Sequence, residues 1–379
     1  MAQRPSSFTK RIDKLAKNVN AAARQYGQSR ATISLRLLSL YWHRGFRPGE
    51  ALKIGLANPM IEQGALRACF TKSELMALQN ELNPRELIST TEDKSVFASY
   101  CSARGIPAPT HFATLGRKTA ETPDGSSLTT RESWLGSIAP QLPPAFVTKP
   151  ALGVYGEGVK IWKREGTVFR DHKQRLYSAE RLYEECCSDP KYDRYVAQSR
   201  LTNHRSLVEL TGSSSLQTVR VVTLIDRDGK ARCLYAEWKL VVGDNVTDNF
   251  CAGRNGNLAA SVALADGAVG PAQAPASNEI GFRRLLCHPD TGAPIAGFRL
   301  PNWNLVIELA LSAAKLFLPL RTIGWDIAIT PDGPVIVEGN RWWDPPNDAV
   351  IGPPAPGLAL HELITNGPML RAPALQSAQ

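Results

Sequence analysis

The sequence predicts an α+β protein of two lobes behind a helical N-terminal region, on three observations. Two strongly alternating runs, Gln217–Ile225 and Ala231–Val241, flank the turn Asp226-Arg-Asp-Gly229 and read as a β-hairpin. A second hairpin turns at Pro331-Asp-Gly333, between residues 323–330 and 334–338. Helical periodicity lies in separate stretches, chiefly residues 8–45 and Asn302–Phe317. Hairpins with segregated helices differ from the alternating order of a parallel sheet.

The bulk composition agrees. A chain of 379 residues, 43% hydrophobic and 21% charged, has enough apolar material for two or three packed subdomains and is not a disordered chain. No run of ~18 uncharged apolar residues is present; the best candidate, Val306–Leu320, is broken by Glu308 and Lys315. No signal peptide is read at the N-terminus. Seven cysteines are scattered without a CxxC pair, which fits free thiols in a reducing compartment and predicts the cytoplasm. The net charge of +9 is concentrated: residues 1–50 carry ten basic side chains against Asp13 and Glu50. The nearly neutral body is not built to bind nucleic acid; the basic stretch reads first as a solvated helix face, and its charge would otherwise suit nucleic acid or, through residues 1–45, peripheral contact with an anionic membrane.

Along the chain, residues 8–45 place apolar and basic positions at helical spacing, with Leu37, Leu38 and Tyr41 in the stripe. Glu50–Leu56 and Lys72–Leu82 read as further helices, and another with Asp93 in its first turn runs from Lys94 to Gly105. Residues 118–144, rich in Pro, Gly and Ser, read as a linker. Ala145–Lys149, Val159–Trp162 and Tyr195–Ser199 read as strands and Ser178–Cys186 as a helix.

Three constellations carry chemistry. The first is Lys149-Pro150-Ala-Leu-Gly153-Val-Tyr-Gly156-Glu-Gly158, a strand-ending lysine followed by a glycine-rich turn. Glycines let backbone N–H groups approach phosphate oxygens, and the ammonium supplies charge. The spacing is neither that of a P-loop nor that of a dinucleotide fingerprint. The second is Gly324-Trp-Asp326 … Glu338-Gly-Asn340. If the two runs pair across their turn, both carboxylates project from one face and Asn340 adds an amide oxygen, an oxygen set that suits Mg²⁺ shared with phosphates. The third is Arg220, in mid-strand within Thr218-Val-Arg-Val-Val-Thr223, with Lys239 near the end of the partner strand. Facing a phosphate cleft, they would steady a transferring phosphoryl group.

In this order the residues resemble the ATP-grasp superfamily, most closely its sugar-transfer-associated family, related to the glutamate ligases, over roughly residues 45–355. The most specific parts are the Asp326 … Glu338-Gly-Asn340 hairpin and His288-Pro-Asp-Thr-Gly292 … Pro301-Asn-Trp303. The resemblance implies the ATP-grasp fold, in which two α+β lobes clasp ATP. It implies that Lys94 and Lys149 bind nucleotide phosphates and that Gly153, Gly156 and Gly158 form the loop closing over them. It makes Val196-Ala-Gln198-Ser-Arg-Leu201, through Gln198 and Leu201, the hinge beside adenine. Arg220 becomes the γ-phosphate arginine, Asp326, Glu338 and Asn340 the Mg²⁺ ligands, and Asp248-Asn249-Phe250-Cys-Ala-Gly253 the acceptor side. The chain departs from the pattern at Ser199, where relatives often carry an acidic residue, and at Arg254, where a second glycine is usual. The implied division is a helical region 1–90, a first lobe 91–200, a second lobe 201–355 and a tail 356–379.

The expected activity is Mg²⁺-ATP-dependent ligation of a carboxylate to an amine through an acyl phosphate, in glycan metabolism. Lys149, Arg220 and Lys239 are the expected catalytic groups. The rivals are a kinase acting on a sugar hydroxyl and a nucleotide-binding accessory protein of a membrane-associated glycan-synthesis complex. The sequence leaves the donor, the acceptor and the oligomeric state open.

Overall fold

A computed structural model of the chain describes residues 7–117, 128–153, 156–226, 228–276 and 280–344. The first sheet comprises β1 (His111–Gly116), β2 (Ala145–Pro150), β3 (Lys160–Glu165), β4 (Val168–Asp171), β5 (Leu176–Ser178) and β6 (Arg194–Ser199), in the order β1-β6-β2-β3-β4-β5. The second comprises β7 (Thr218–Ile225), β8 (Ala231–Leu240), β9 (Leu258–Val262), β10 (Val269–Pro275), β11 (Phe282–Leu285), β12 (Thr322–Thr330) and β13 (Gly333–Asn340), in the order β11-β10-β9-β8-β7-β12-β13. Every pairing is antiparallel.

Alternation along the strands gives each sheet one apolar face. In the second sheet Val219, Val221, Trp238, Trp325 and Ile327 pack under helix Trp303–Leu316, whose Val306, Ala310, Ala313 and Ala314 complete the core. The intervening residues Arg220, Lys239 and Asp326 therefore stand on the other face. In the first sheet Phe146, Trp162, Phe169, Tyr195 and Ala197 pack with Trp134, Leu182 and Cys186, leaving Lys149 and Gln198 on the opposite side.

Three expectations need correction. Residues 131–141 are helical rather than linker, as successive short turns of α, π and 3-10 geometry. Their Trp134, Ala139 and Leu142 are buried on the first sheet, and Trp134 Nε1 donates to Ala179 O at 2.9 Å. Apolar spacing overrode the Pro, Gly and Ser punctuation there; residues 118–127 of the same stretch lie outside the described residues. The N-terminal stripe is two helices, Ser7–Gln25 and Arg30–Arg44, separated at Gly27, and Leu37 is buried while Leu38 and Tyr41 are exposed. These three residues do not share a face.

Asp93 is the N-cap of helix Lys94–Ala103, accepting from Ser95 N at 2.9 Å, rather than a first-turn residue. Arg194 of β6 donates to its second oxygen at 2.5 Å, and Lys94 N donates to Ala151 O at 3.0 Å. The helix is thus pinned to the first sheet at its N-terminus while Phe97 packs in the second-sheet core. His288-Pro-Asp-Thr-Gly292 is a structural tie, with its imidazole on Val241 O and Thr291 Oγ1 on Leu210 O. Among the described residues no helix is long and apolar enough to cross a membrane.

Candidate active site

The β12–β13 register places Asp326 opposite Glu338, and the β7–β12 register places Arg220 opposite Asp326. These side chains therefore form a row across three strands. Arg220 grips Asp326 with two bonds, Nε to Oδ1 at 2.6 Å and Nη2 to Oδ2 at 2.9 Å, and Lys239 Nζ lies 3.0 Å from Oδ1. Burial alone would raise the Asp326 pKa, but Arg220 and Lys239 outweigh it and hold the carboxyl well below the usual range. Burial likewise opposes the charge on Lys239, yet Asp248 and Asp326 raise its pKa.

Asn340 donates from Nδ2 to Asp326 Oδ2 at 3.3 Å and to Glu338 Oε1 at 3.5 Å. The same Nδ2 donates to Gly324 O at 3.3 Å; turning the amide over would give up these three long bonds and bring its oxygen beside the two carboxylates, an oxygen set that would suit Mg²⁺. Among the described residues no group of three or more His, Cys, Asp or Glu side chains is placed to hold a metal, so a metal here relies on the amide as third ligand.

Lys94 Nζ donates to Gly153 O at 2.9 Å and lies 3.8 Å from Glu338 Oε2, spanning from the glycine turn to the second sheet. Lys149 is buried and makes no hydrogen bond or ion pair among the described residues. Burial, and then the neighbouring Lys94 charge, lower its pKa to about 8. A buried ammonium beside a second lysine, its burial only partly offset by Glu338 and Asp326, is the arrangement that an incoming polyphosphate neutralises.

Of the loop glycines, Gly156 has φ 69°, and a Cβ there would sit 2.7 Å from Thr247 Cγ2. The turn approaches the segment leading to Asp248 as only glycine permits. Residues 154 and 155 lie outside the described residues. Gln198 is buried on β6 with Oε1 unbonded among the described residues, and Leu201 follows where the chain leaves the first sheet. By His204 the chain has reached β12, where its N–H donates to Ile329 O at 2.7 Å.

Asp248 accepts from Thr218 N at 2.7 Å and Thr218 Oγ1 at 2.5 Å and stands 4.0 Å from Lys239. The acceptor-side segment therefore packs on the site's own strand. Glu237 stands opposite Arg220 in the β7–β8 register, a position that the sequence reading passed over although its alternation with Lys239 marks it. At Gly253 (φ 72°) a Cβ would lie 2.1 Å from Pro275 Cδ, so the segment closes on β10 through glycine alone. Gly253→Ala is expected to destabilise the protein by roughly 2–4 kcal/mol, and an unchanged melting temperature would show that this contact yields. The Cys186 thiol is not a reactive group, since burial pushes its pKa up to about 12.

Two antiparallel lobes, with the lysines and glycine turn of one set against the carboxylate hairpin of the other, constitute an ATP-grasp fold. The chain belongs to the family described as sugar-transfer-associated ATP-grasp, which it matches over residues 75–346. No curated protein matches it. Among solved structures it is similar to an L-amino acid ligase from Bacillus licheniformis, at 12% identity and TM-score 0.33, covering 67% of this chain and 41% of that one. It is also similar to a D-alanine–D-alanine ligase from Bacillus anthracis, at 14% identity and TM-score 0.34, covering 67% and 58%. A biotin carboxylase–ATP complex from Campylobacter jejuni gives 11% and 0.40, covering 73% and 46%. The chain spans about half the length of these structures, and likeness at this level assigns it no chemistry.

Proposed function

We propose that this chain is an ATP-dependent carboxylate–amine ligase. The observation that carries the reading is Lys149, a buried ammonium without an ion partner, set beside Lys94 and facing Asp326 and Glu338 across the lobes. Lys94, Lys149 and the glycine turn bind the phosphates, and Gln198 and Leu201 border the adenine side. Mg²⁺ held by Asp326, Glu338 and Asn340 supplies positive charge at the terminal phosphates. A substrate carboxylate oxygen attacks the γ-phosphorus and ADP leaves, giving an acyl phosphate. Arg220 and Lys239, already anchored on Asp326, steady the charge on the transferring group with little reorganisation. The neutral amine then attacks the acyl carbon, inorganic phosphate departs, and the amine proton passes to solvent. Small-molecule substrates in glycan metabolism and a cytoplasmic setting for the seven free thiols complete the proposal.

The family's association with sugar transfer favours one second reading, phosphorylation of a sugar hydroxyl. Product analysis separates the two across a screen of amino acids, sugar acids and amino sugars. ADP, free phosphate and an amide in equal amounts are the expected outcome. ADP with a stable phosphomonoester and no free phosphate would replace the ligase by a kinase.

A further inference from the structure

Helix Arg30–Arg44 is apolar on two opposite faces, and among the described residues only one is covered. Ile33, Leu37 and Leu40 are buried in the core of the N-terminal helices. A step of two residues turns about 200° around a helix, and there Leu35, Leu38 and Trp42 are 67%, 51% and 76% exposed. Their spacing of three and four residues makes one continuous stripe. Exposed Tyr41 packs its ring edge-on against Trp42, with centroids 5.8 Å apart.

The charge around this stripe selects among its occupants. The first fifty residues carry ten basic side chains and two acidic ones. Two of the basic groups serve the fold, Arg36 donating to Leu56 O and Arg44 to Cys69 O. Lys17, Arg24, Arg30 and Arg47 are exposed to solvent. A second copy laid stripe to stripe would bring two strongly basic regions together, which like-charge repulsion opposes. A surface that is apolar beneath and anionic above satisfies both features.

We propose that this face docks the protein peripherally on a membrane rich in anionic phospholipid, with Leu35, Leu38 and Trp42 entering the acyl boundary and the basic side chains meeting the headgroups. Because the inner face already holds the helix in place, docking needs no coupled folding. The contact is independent of the nucleotide chemistry.

The test is flotation of the whole protein with vesicles of phosphatidylcholine alone or mixed with phosphatidylglycerol. Binding is expected only to the mixed vesicles and is expected to weaken at high salt. The triple variant Leu35→Ser, Leu38→Ser, Trp42→Ser should lose at least about tenfold in affinity, with its melting temperature and nucleotide binding unchanged. Arg30→Gln with Arg47→Gln should lose about tenfold or more. Brominated lipids should quench the wild-type tryptophan emission more than that of Trp42→Phe. No binding to the mixed vesicles would overturn the proposal, as would binding that the triple variant leaves intact. A dimer dispersed by the triple variant would assign the stripe to a second copy. Wild-type and Trp42→Phe emission equally quenched by aqueous iodide would show the stripe covered by the chain itself. Capture of an acidic protein in place of lipid would assign the stripe to a protein partner.

Discussion

Lys149→Met is expected to abolish nucleotide turnover while making the free protein more stable. The ammonium is buried, burial and Lys94 lower its pKa to about 8, and Glu338 and Asp326 offset this only in part. The unfolded chain holds its proton more tightly, with an ordinary lysine value of 10.5. Between those two values the unfolded state binds more protons, so stability rises with pH. Below about 8 the penalty of keeping the charge buried is present in full, roughly 1–3 kcal/mol. Methionine fills the same space without the charge, so the variant should melt higher than wild type at neutral pH and lose the rise in stability above pH 8. Turnover should fall by about a thousandfold, because an electrostatic contact to the transferring group is lost. ATP binding raises the lysine pKa again, so near pH 8 it should take up protons, readable by titration calorimetry in buffers of different ionisation enthalpy. A variant with full turnover, or one that melts lower, would sink the assignment.

The second large effect is expected at Asp326. Its carboxylate holds Arg220 by two hydrogen bonds and Lys239 at 3.0 Å, in a row where all three are largely buried. Asp326→Asn leaves Arg220 without its bidentate partner and Lys239 with Asp248 alone, at 4.0 Å. Breaking a buried ion cluster on one side costs about 3–5 kcal/mol. Turnover should fall by at least about a hundredfold, since Arg220 loses its anchor. As at Lys149, the native value lies below the unfolded one, so stability rises with pH across the window, but here the charged form stabilises the fold instead of burdening it. The carboxyl is held below its unfolded value, so its contribution is present above about pH 4 and is lost only as pH falls through the depressed native value. Mild acid should therefore leave the wild-type cluster intact, and the variant's deficit should be the same from neutral pH down to about pH 5. Denaturant melts across that range would falsify this if the two proteins converge well above pH 4.

Much of the fold was legible because its strands alternate. The β7–β8 and β12–β13 hairpins were readable from runs such as Thr-Val-Arg-Val-Val-Thr, with an Asp-Gly turn to close each. Strands β9 to β11 were not readable. Leu-Ala-Ala-Ser-Val and Val-Gly-Pro-Ala-Gln-Ala-Pro carry a single β-branched residue each and no aromatic one, too few to mark a strand. The β9–β10 register shifts between Val269 and Ala272, at Gly270-Pro271, where a bulge tolerates a residue that cannot donate to the ladder. Small residues pair well there because neighbouring strands already fix the backbone. The N-terminal stripe was misread for a related reason: apolar spacing says that a helix has an apolar side, not which apolar residues a neighbour covers.

What the sequence by itself determined was the inventory of chemistry: two lysines, a glycine turn, an arginine, and two carboxylates with an amide on one hairpin, in an order that resembles a known family. Residue type and short-range spacing are local properties, so they survive without coordinates. The tertiary structure alone decided which charge faces which. Arg220 and Asp326 are separated by 106 residues, and only the β7–β12 register brings them to 2.6 Å. The same packing leaves Lys149 buried without a salt bridge among the described residues and turns Leu35, Leu38 and Trp42 outward. Burial and pairing depend on what the rest of the chain places nearby, and that is set when sheets and helices pack.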